Sequence, residues 1–468
     1  MTDQTVQPDN AGSQSSPSAA AGFSRRSLFR SAGLGAAVVG SGSLLEACSS
    51  GIQGAASTSP GGSGAASSKE ITIGWIHPVT GPLAGFGHPD AWVMDKVMAT
   101  SEYKNGFRIG GSAYKVTIKS YDSQSSVTLA GSLARQAIQG DNVDLLLASS
   151  TPETVNAVAS QAETLGTPLI CSNIPWESWY INLGGNPRKP TLKPKNTVMY
   201  FLGAEHLVEC FIPMWNRIGE KYGNDHVVAA AFPNDADGNA FRAVFPPIAT
   251  GAGYTIDLST PYADNLTNYD SMIAQFKSAK ADFFTNVPLP PDFATMWKQA
   301  LQQNFKPRLA TVAKVLLFPT DAYAMGSEVY NVATDSWWVP SLPWHSSFTG
   351  ESCTELAASY TAAGLGQPNA NISNYTLFEI AYKALTLVND PHNKAEVAAA
   401  LFKVKLPDAV AGPIDYTSAK NPAPGVAITP PVGIQWQKGT RYPLEAVVVD
   451  NTLQPNAKIT GDLLPTNK

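Results

Sequence analysis

Hydroxyl side chains at the start of a helix are the first chemistry visible in this sequence. In LLLASSTPET a hydrophobic run ends in Ser149, Ser150 and Thr151, and Pro152 fits the first turn of the helix that follows. Hydroxyls beside free backbone N–H groups make a receptor for a carboxylate. The segment His77-Pro-Val-Thr80-Gly81-Pro82 repeats the arrangement, with Thr80 as cap and Pro82 inside the first turn. A third segment, Ser172-Asn173-Ile-Pro-Trp176-Glu-Ser-Trp179, sets two Trp close together, able to form an aromatic wall or a face for a cation. The alternative for each hydroxyl is a cap that serves only its own helix, and for each Trp it is core packing.

These segments need elements to position them. Ile71–Ile76 reads as a strand, followed by a turn and a helical stretch from Pro82 toward Tyr103. Strand and helix patterns then alternate: 115–120, 126–139, 143–148, 152–165 and 168–171. Such alternation implies parallel sheets with crossover helices. Residues 132–171 and 271–312 also echo each other. Asp144 and Asp282 each open a hydrophobic strand, Pro152 and Pro290 follow at the same spacing, and each copy closes on a Pro-led strand at Pro168 or Pro307. Two α/β lobes with a cleft follow from this, and ligands of such sheets sit beyond the carboxyl ends of the strands. The hydroxyl and Trp segments all come directly after strands.

A catalytic reading finds little. There is no G-x-S-x-G, H-E-x-x-H, Walker loop or G-x-G-x-x-G after a strand. His77 and Thr80 belong to the cleft, but no nucleophile, base and orienting acid assemble around them. His206, Glu209 and Cys210 share one helical face and are better read as packed or capping groups than as metal ligands. The expectation is no catalysis, no metal and no cofactor. Cys171, Cys210 and Cys353 permit at most one intramolecular disulfide, and three buried free thiols are the simpler expectation.

The chain has 468 residues, 44% hydrophobic and 15% charged, enough to bury a large core. Its net charge of −5, without a basic stripe, argues against nucleic acid as a partner. Only one apolar run, Ser31 to Ala47, comes near membrane length, which excludes a multi-pass transporter. It follows Ser24-Arg25-Arg26-Ser27-Leu28-Phe29-Arg30, which resembles a Tat export signal, with Leu28-Phe29 in swapped order. Leu45-Glu46-Ala47-Cys48 resembles a lipobox, departing from it at Glu46. We therefore expect a signal peptide over 1–47, lipidation at Cys48 and a Gly/Ser/Ala tether over 48–68. The tether would hold an acidic body outside the cytoplasmic membrane.

ITIGWIHPVTGPLAGFG, LLLASSTPET, TPLICSN, NDADG at 234–238, GPIDYT and VGIQWQKG, in that order, resemble the leucine/isoleucine/valine-binding family. These are type I periplasmic solute-binding proteins of ABC transporters. The resemblance implies two Rossmann-like lobes with parallel central sheets joined by three crossings, near Thr197, Trp338–Pro340 and Pro430. The lobes would comprise 69–197 with 340–430, and 198–339 with 431–468. It implies a monomer that closes on a small carboxylate-bearing ligand and presents it to ABC permease subunits, or in a receptor of the same fold to a sensor. The ligand's carboxylate would be held by Ser149, Ser150 or Thr151, with Asn173 and Trp176 in the neighbouring loop and Thr80 and Gly81 at the first strand. The family's aromatic residue before the Gly of the NDADG turn falls on Asp237. Its acid for the ligand's α-ammonium falls near Ala313-Lys314, so the expected carboxylate is missing. If Asp237 faces the cleft, an amino acid or amine fits; if Lys314 does, an aromatic or aliphatic acid is favoured.

Overall fold

In a computed structural model, residues 69–223 and 225–466 are described. The export signal, Cys48 and the tether lie outside the described residues.

The strands, in chain order, are β1 (Glu70–His77), β2 (Phe107–Ile109), β3 (Ser112–Asp122), β4 (Leu145–Ser149), β5 (Leu169–Ser172) and β6 (Thr197–Phe201). There follow β7 (Val227–Ala231), β8 (Thr255–Leu258), β9 (Phe283–Asn286), β10 (Leu309–Val312) and β11 (Ala333–Ser336). The last are β12 (Lys405–Leu406), β13 (Ile414–Asp415), β14 (Val426–Ile428), β15 (Val432–Lys438) and β16 (Leu444–Asp450). They build two seven-stranded sheets, β14-β6-β5-β4-β1-β3-β2 and β16-β15-β11-β10-β9-β7-β8, plus the small β12-β13 pair. Within the two large sheets pairing is parallel except for β2 on one edge and β15 and β16 on the other sheet's edge, and the β12-β13 pair is antiparallel. β4, β5, β9 and β10 are buried along their whole length, as strands covered by helices on both faces must be. Two α/β lobes with mostly parallel sheets are thus the architecture.

The sequence echo is a structural repeat. Helix 127–135, β4, helix 152–165 and β5 correspond to helix 270–278, β9, helix 290–302 and β10, and both pairs of strands run parallel. Pro152 and Pro290 each begin their helix, where the missing N–H costs nothing. The echoed acids do the same work in each copy. Asp144 accepts from the Thr72 amide of the neighbouring β1, and Asp282 accepts from the Asp225 amide ahead of the neighbouring β7.

The chain passes between the sheets after Phe201, after Ser336 and between Ile428 and Val432. The first passage comes later than Thr197 because β6, which begins there, pairs with both β5 and β14. The stretch from Pro82 toward Tyr103 is not one helix but three, Ala84–Gly87, Asp90–Met98 and Ser101–Asn105. Pro89 lacks the N–H a continuing helix needs, and Thr100 accepts from the Tyr103 amide to start a new one. Among the described residues no helix is long and apolar enough to cross a membrane.

Candidate functional site

The carboxyl ends of the two sheets meet around a cavity of about 40 Å3. Phe86, Thr151, Asn173 and Phe201 line it from the first sheet's side, and Asp237, Val287, Lys314, Asp335 and Trp337 from the second's. Thr151, Asn173 and Lys314 each come within two residues of a strand's end, where the topology of parallel sheets opens a crevice. Small-molecule sites usually measure ~300 Å3 or more, so the lobes must part or side chains must move to admit a ligand.

Lys314 is the electrostatic centre. It follows β10 in the left-handed region, φ 68°, and its ammonium is buried. It lies 2.8 Å from Asp237, 3.0 Å from Glu153 and 3.3 Å from Asp235. Burial pulls the ammonium toward neutrality, but Asp237, Glu153 and Asp235 more than offset it, so its pKa stands well above the ordinary lysine value. Burial pushes the Asp237 carboxyl up, against the pull of Lys314. Burial also opposes ionisation of Glu153, but Lys314 and the Thr151 hydroxyl outweigh it and hold that carboxyl below its usual value. Three carboxylates around one ammonium leave this end of the cavity net negative. Asp237 and Lys314 both reach the cavity, but each is engaged with the other, so neither alternative read from the sequence applies in simple form.

Local geometry explains the turn at 234–238. Asp235 caps helix 236–251 by accepting from the Gly238 amide at 2.6 Å. A Cβ at Gly238 would run into the Pro233 carbonyl, so the turn that presents Asp235 and Asp237 together requires glycine there.

The other residues singled out from sequence divide. Thr151 lines the cavity at the head of helix 152–165. Ser149 accepts from the Trp75 indole at 3.0 Å, and Ser150 is buried outside the lining with no hydrogen-bond partner for its hydroxyl. Asn173 reaches the cavity, but its amide nitrogen donates to Asn371 and Asn374 and its oxygen accepts from Ser172. Trp176 lies outside the lining, its indole N–H donating to Glu205 at 3.0 Å. Thr80 is exposed and tied to Asp122 by its hydroxyl at 2.6 Å and its amide at 3.1 Å. Gly81, at φ 90°, packs a tight turn against Gln124 and Ser125. Both lie outside the lining. His77 is bound between Asp90 and Ser120, 2.7 Å from each, and stacks on Trp75. His206 accepts from the Gly203 amide, the capping role expected of it. Cys171, Cys210 and Cys353 are free and buried.

Sequence reasoning missed Glu153, Asp235 and, above all, Asp335. Asp335 sits in β11, 2% exposed, and lines the cavity beside Trp337. Its Oδ1 has no hydrogen-bond partner, and burial pushes its carboxyl up to about 7. The available signal was an acid in a short segment, Ala333-Thr-Asp335-Ser336, between Val332 and two Trp. Aromatic rings complete the wall: Phe86 meets Phe318 edge-on at 4.8 Å, and Phe201 meets Trp337 at 4.9 Å.

Comparison with known proteins agrees with this geometry. Residues 70–429 match the model of the periplasmic binding protein family. Leu/Ile/Val-binding protein homolog 7 of Brucella abortus (strain 2308) is 24% identical over 278 residues, 58% of this chain. The chain spans about 65% of the length of that curated relative. The crystal structure of the leucine-binding protein LivK of Thermotoga maritima MSB8 superposes with a TM-score of 0.65 at 17% identity, over 81% of this chain and 98% of that one. A solute-binding protein of an ABC transporter from Rhodopseudomonas palustris BisB5, in complex with 3,4-dihydroxybenzoic acid, gives 0.62 at 16% identity, over 82% and 99%. These likenesses confirm the fold, two α/β lobes about a cleft. The match over most of the described residues, on a structure whose two sheets converge on a polar cavity, places the chain in the periplasmic binding protein family.

Proposed function

We propose that the protein is an extracytoplasmic solute-binding protein of an ABC importer. It captures an amino acid or related small carboxylate between its lobes and delivers it to the permease subunits. It carries out no catalysis and works as a monomer. The observation that carries the reading is Thr151, which stands at the N-cap position of helix 152–165 with its hydroxyl unpartnered, lining a cavity shared by both sheets. A ligand carboxylate there would meet the hydroxyl and the free N–H groups of the first turn. The Arg25-Arg26 signal and Cys48 would export the chain by the Tat route and anchor it to the membrane by lipid.

A second reading, an aromatic acid as ligand, is favoured by the rings of Phe86, Phe201 and Trp337 around the cavity. A thermal-shift panel of amino acids, aliphatic acids, aromatic acids and sugars tests the class. A ligand present at ~100 Kd should add about 2.7 kcal/mol to the unfolding free energy. Stabilisation by sugars and by no carboxylate would overturn the proposal.

A further inference from the structure

Asp335 is the one cavity-lining acid with an orphaned oxygen. Asp237 has Lys314 at 2.8 Å, whereas no ion pair reaches Asp335 among the described residues and its Oδ1 accepts from nothing. It is 2% exposed, and a buried carboxylate without a counter-charge is costly. The rings of Phe86, Phe201 and Trp337 share the cavity lining with it and offer it no hydrogen bond. The place at which the family resemblance puts an acid is filled by Lys314, whose ammonium is shared among Asp237, Glu153 and Asp235. A cation entering the cavity therefore finds on β11 an acid with no ion-pair partner, whereas the acids beside β10 already share one ammonium.

We propose that Asp335 is the specificity-determining residue of this cleft, and that its carboxylate pairs with the ammonium of an amine-bearing ligand. The inference rests on the solute-binding reading and sharpens it: the ligand carries a primary amine, and acids lacking one are rejected. Because burial holds the empty carboxyl up to about 7, pairing with an ammonium expels its proton to solvent. Binding of an amine is therefore coupled to proton release, and its affinity rises with pH through neutrality. The titratable groups near Asp335 are the Cys210 thiol, which burial, Asp335 and Asp450 push up and keep neutral, Asp450 with its partner Arg217 on the far side of Gly433, and, across the cavity, the Lys314–Asp237 pair.

The test is calorimetric titration of the full chain with L-phenylalanine, 2-phenylethylamine and 3-phenylpropanoate, and with the matching leucine series. Each is run near pH 6 and pH 8 in buffers of different ionisation enthalpy. The expected result is binding of the amine-bearing probes, with nearly one proton released near pH 6 and far fewer near pH 8. In Asp335→Asn the affinity for these probes should fall roughly 30-fold or more, and the proton release should vanish. The wild-type comparison across pH stands even if the variant misfolds. Binding of 3-phenylpropanoate or 4-methylpentanoate in preference to their amines, strengthening as pH falls, would overturn the inference and leave the solute-binding reading intact. Amine binding without proton release, unchanged in Asp335→Asn, would also overturn it. Failure of every probe in both series would overturn both.

Discussion

The Lys314 ammonium lies 3.0 Å from Glu153, joining the loop after β10 of one sheet to the first turn of helix 152–165 on the other. It is an ion pair across the cleft, and the other two partners of Lys314, Asp235 and Asp237, are on its own side. A ligand carboxylate docked at Thr151, as proposed, would arrive next to this bridge and compete with Glu153 for the same cation.

Removing Lys314 should be costly. Lys314→Met would leave buried Asp237 and half-buried Glu153 and Asp235 around no cation, and unpairing a buried charge typically costs about 3–5 kcal/mol. Glu153→Gln removes only the bridging partner, keeps Asp237 and Asp235 on the lysine, and should cost less. Chemical denaturation of both variants checks the order; equal stability of Lys314→Met and wild type would show that the cluster is not stabilised by its cation.

Stability should fall from mildly acid to mildly alkaline pH. Burial holds Asp335 and Glu379 up to about 7, from ordinary values of 3.8 and 4.5. Across that window the folded chain keeps protons that the unfolded chain has released, so their stabilisation is complete below pH ~4 and lost as pH rises through ~7. Asp335→Asn should match wild type near pH 5 and exceed it by ~1–3 kcal/mol near pH 8. A flat melting temperature between these values would contradict the burial of both groups.

Thr151 and Trp176 should separate binding from folding. Thr151→Ala removes a cavity-lining hydroxyl and should weaken ligand binding about tenfold at little cost in stability. Trp176→Ala empties a buried site whose indole bonds Glu205, and should destabilise by ~3–5 kcal/mol. Melting curves and titrations of the two variants would read the reverse assignment directly.

Lobe closure should be visible in solution. The cavity is smaller than a usual small-molecule site, and parting of the lobes to admit a ligand would change the shape of the molecule. Small-angle scattering of ligand-free and saturated protein should show a smaller radius of gyration on saturation. An unchanged radius would mean that binding does not use the hinge.

Much of this fold is legible because its signals are local. Pro152 and Pro290 mark helix starts, and Asp144 and Asp282 mark strand starts by reaching back to a neighbouring strand's amide. The site is legible only where a residue's role follows from its own loop, as with Thr151. Ser149 looks equivalent in sequence, but it is taken by Trp75, 74 residues away, and Thr80 is taken by Asp122. Such partners come from strand register, which no local pattern reveals. Lys314 and Asp237 are both readable as cleft residues, yet only the fold shows that they neutralise each other. Asp335 carries no motif; what sets it apart is a place in the cavity lining with one oxygen unpartnered, which exists only in three dimensions.

The most direct test of the central claim is a crystal structure of the protein with a ligand drawn from the thermal-shift panel. We predict its carboxylate at Thr151 and the first turn of helix 152–165, between closed lobes, with its amine on Asp335. A ligand bound outside the cleft, or one whose carboxylate points away from Thr151, would contradict the account.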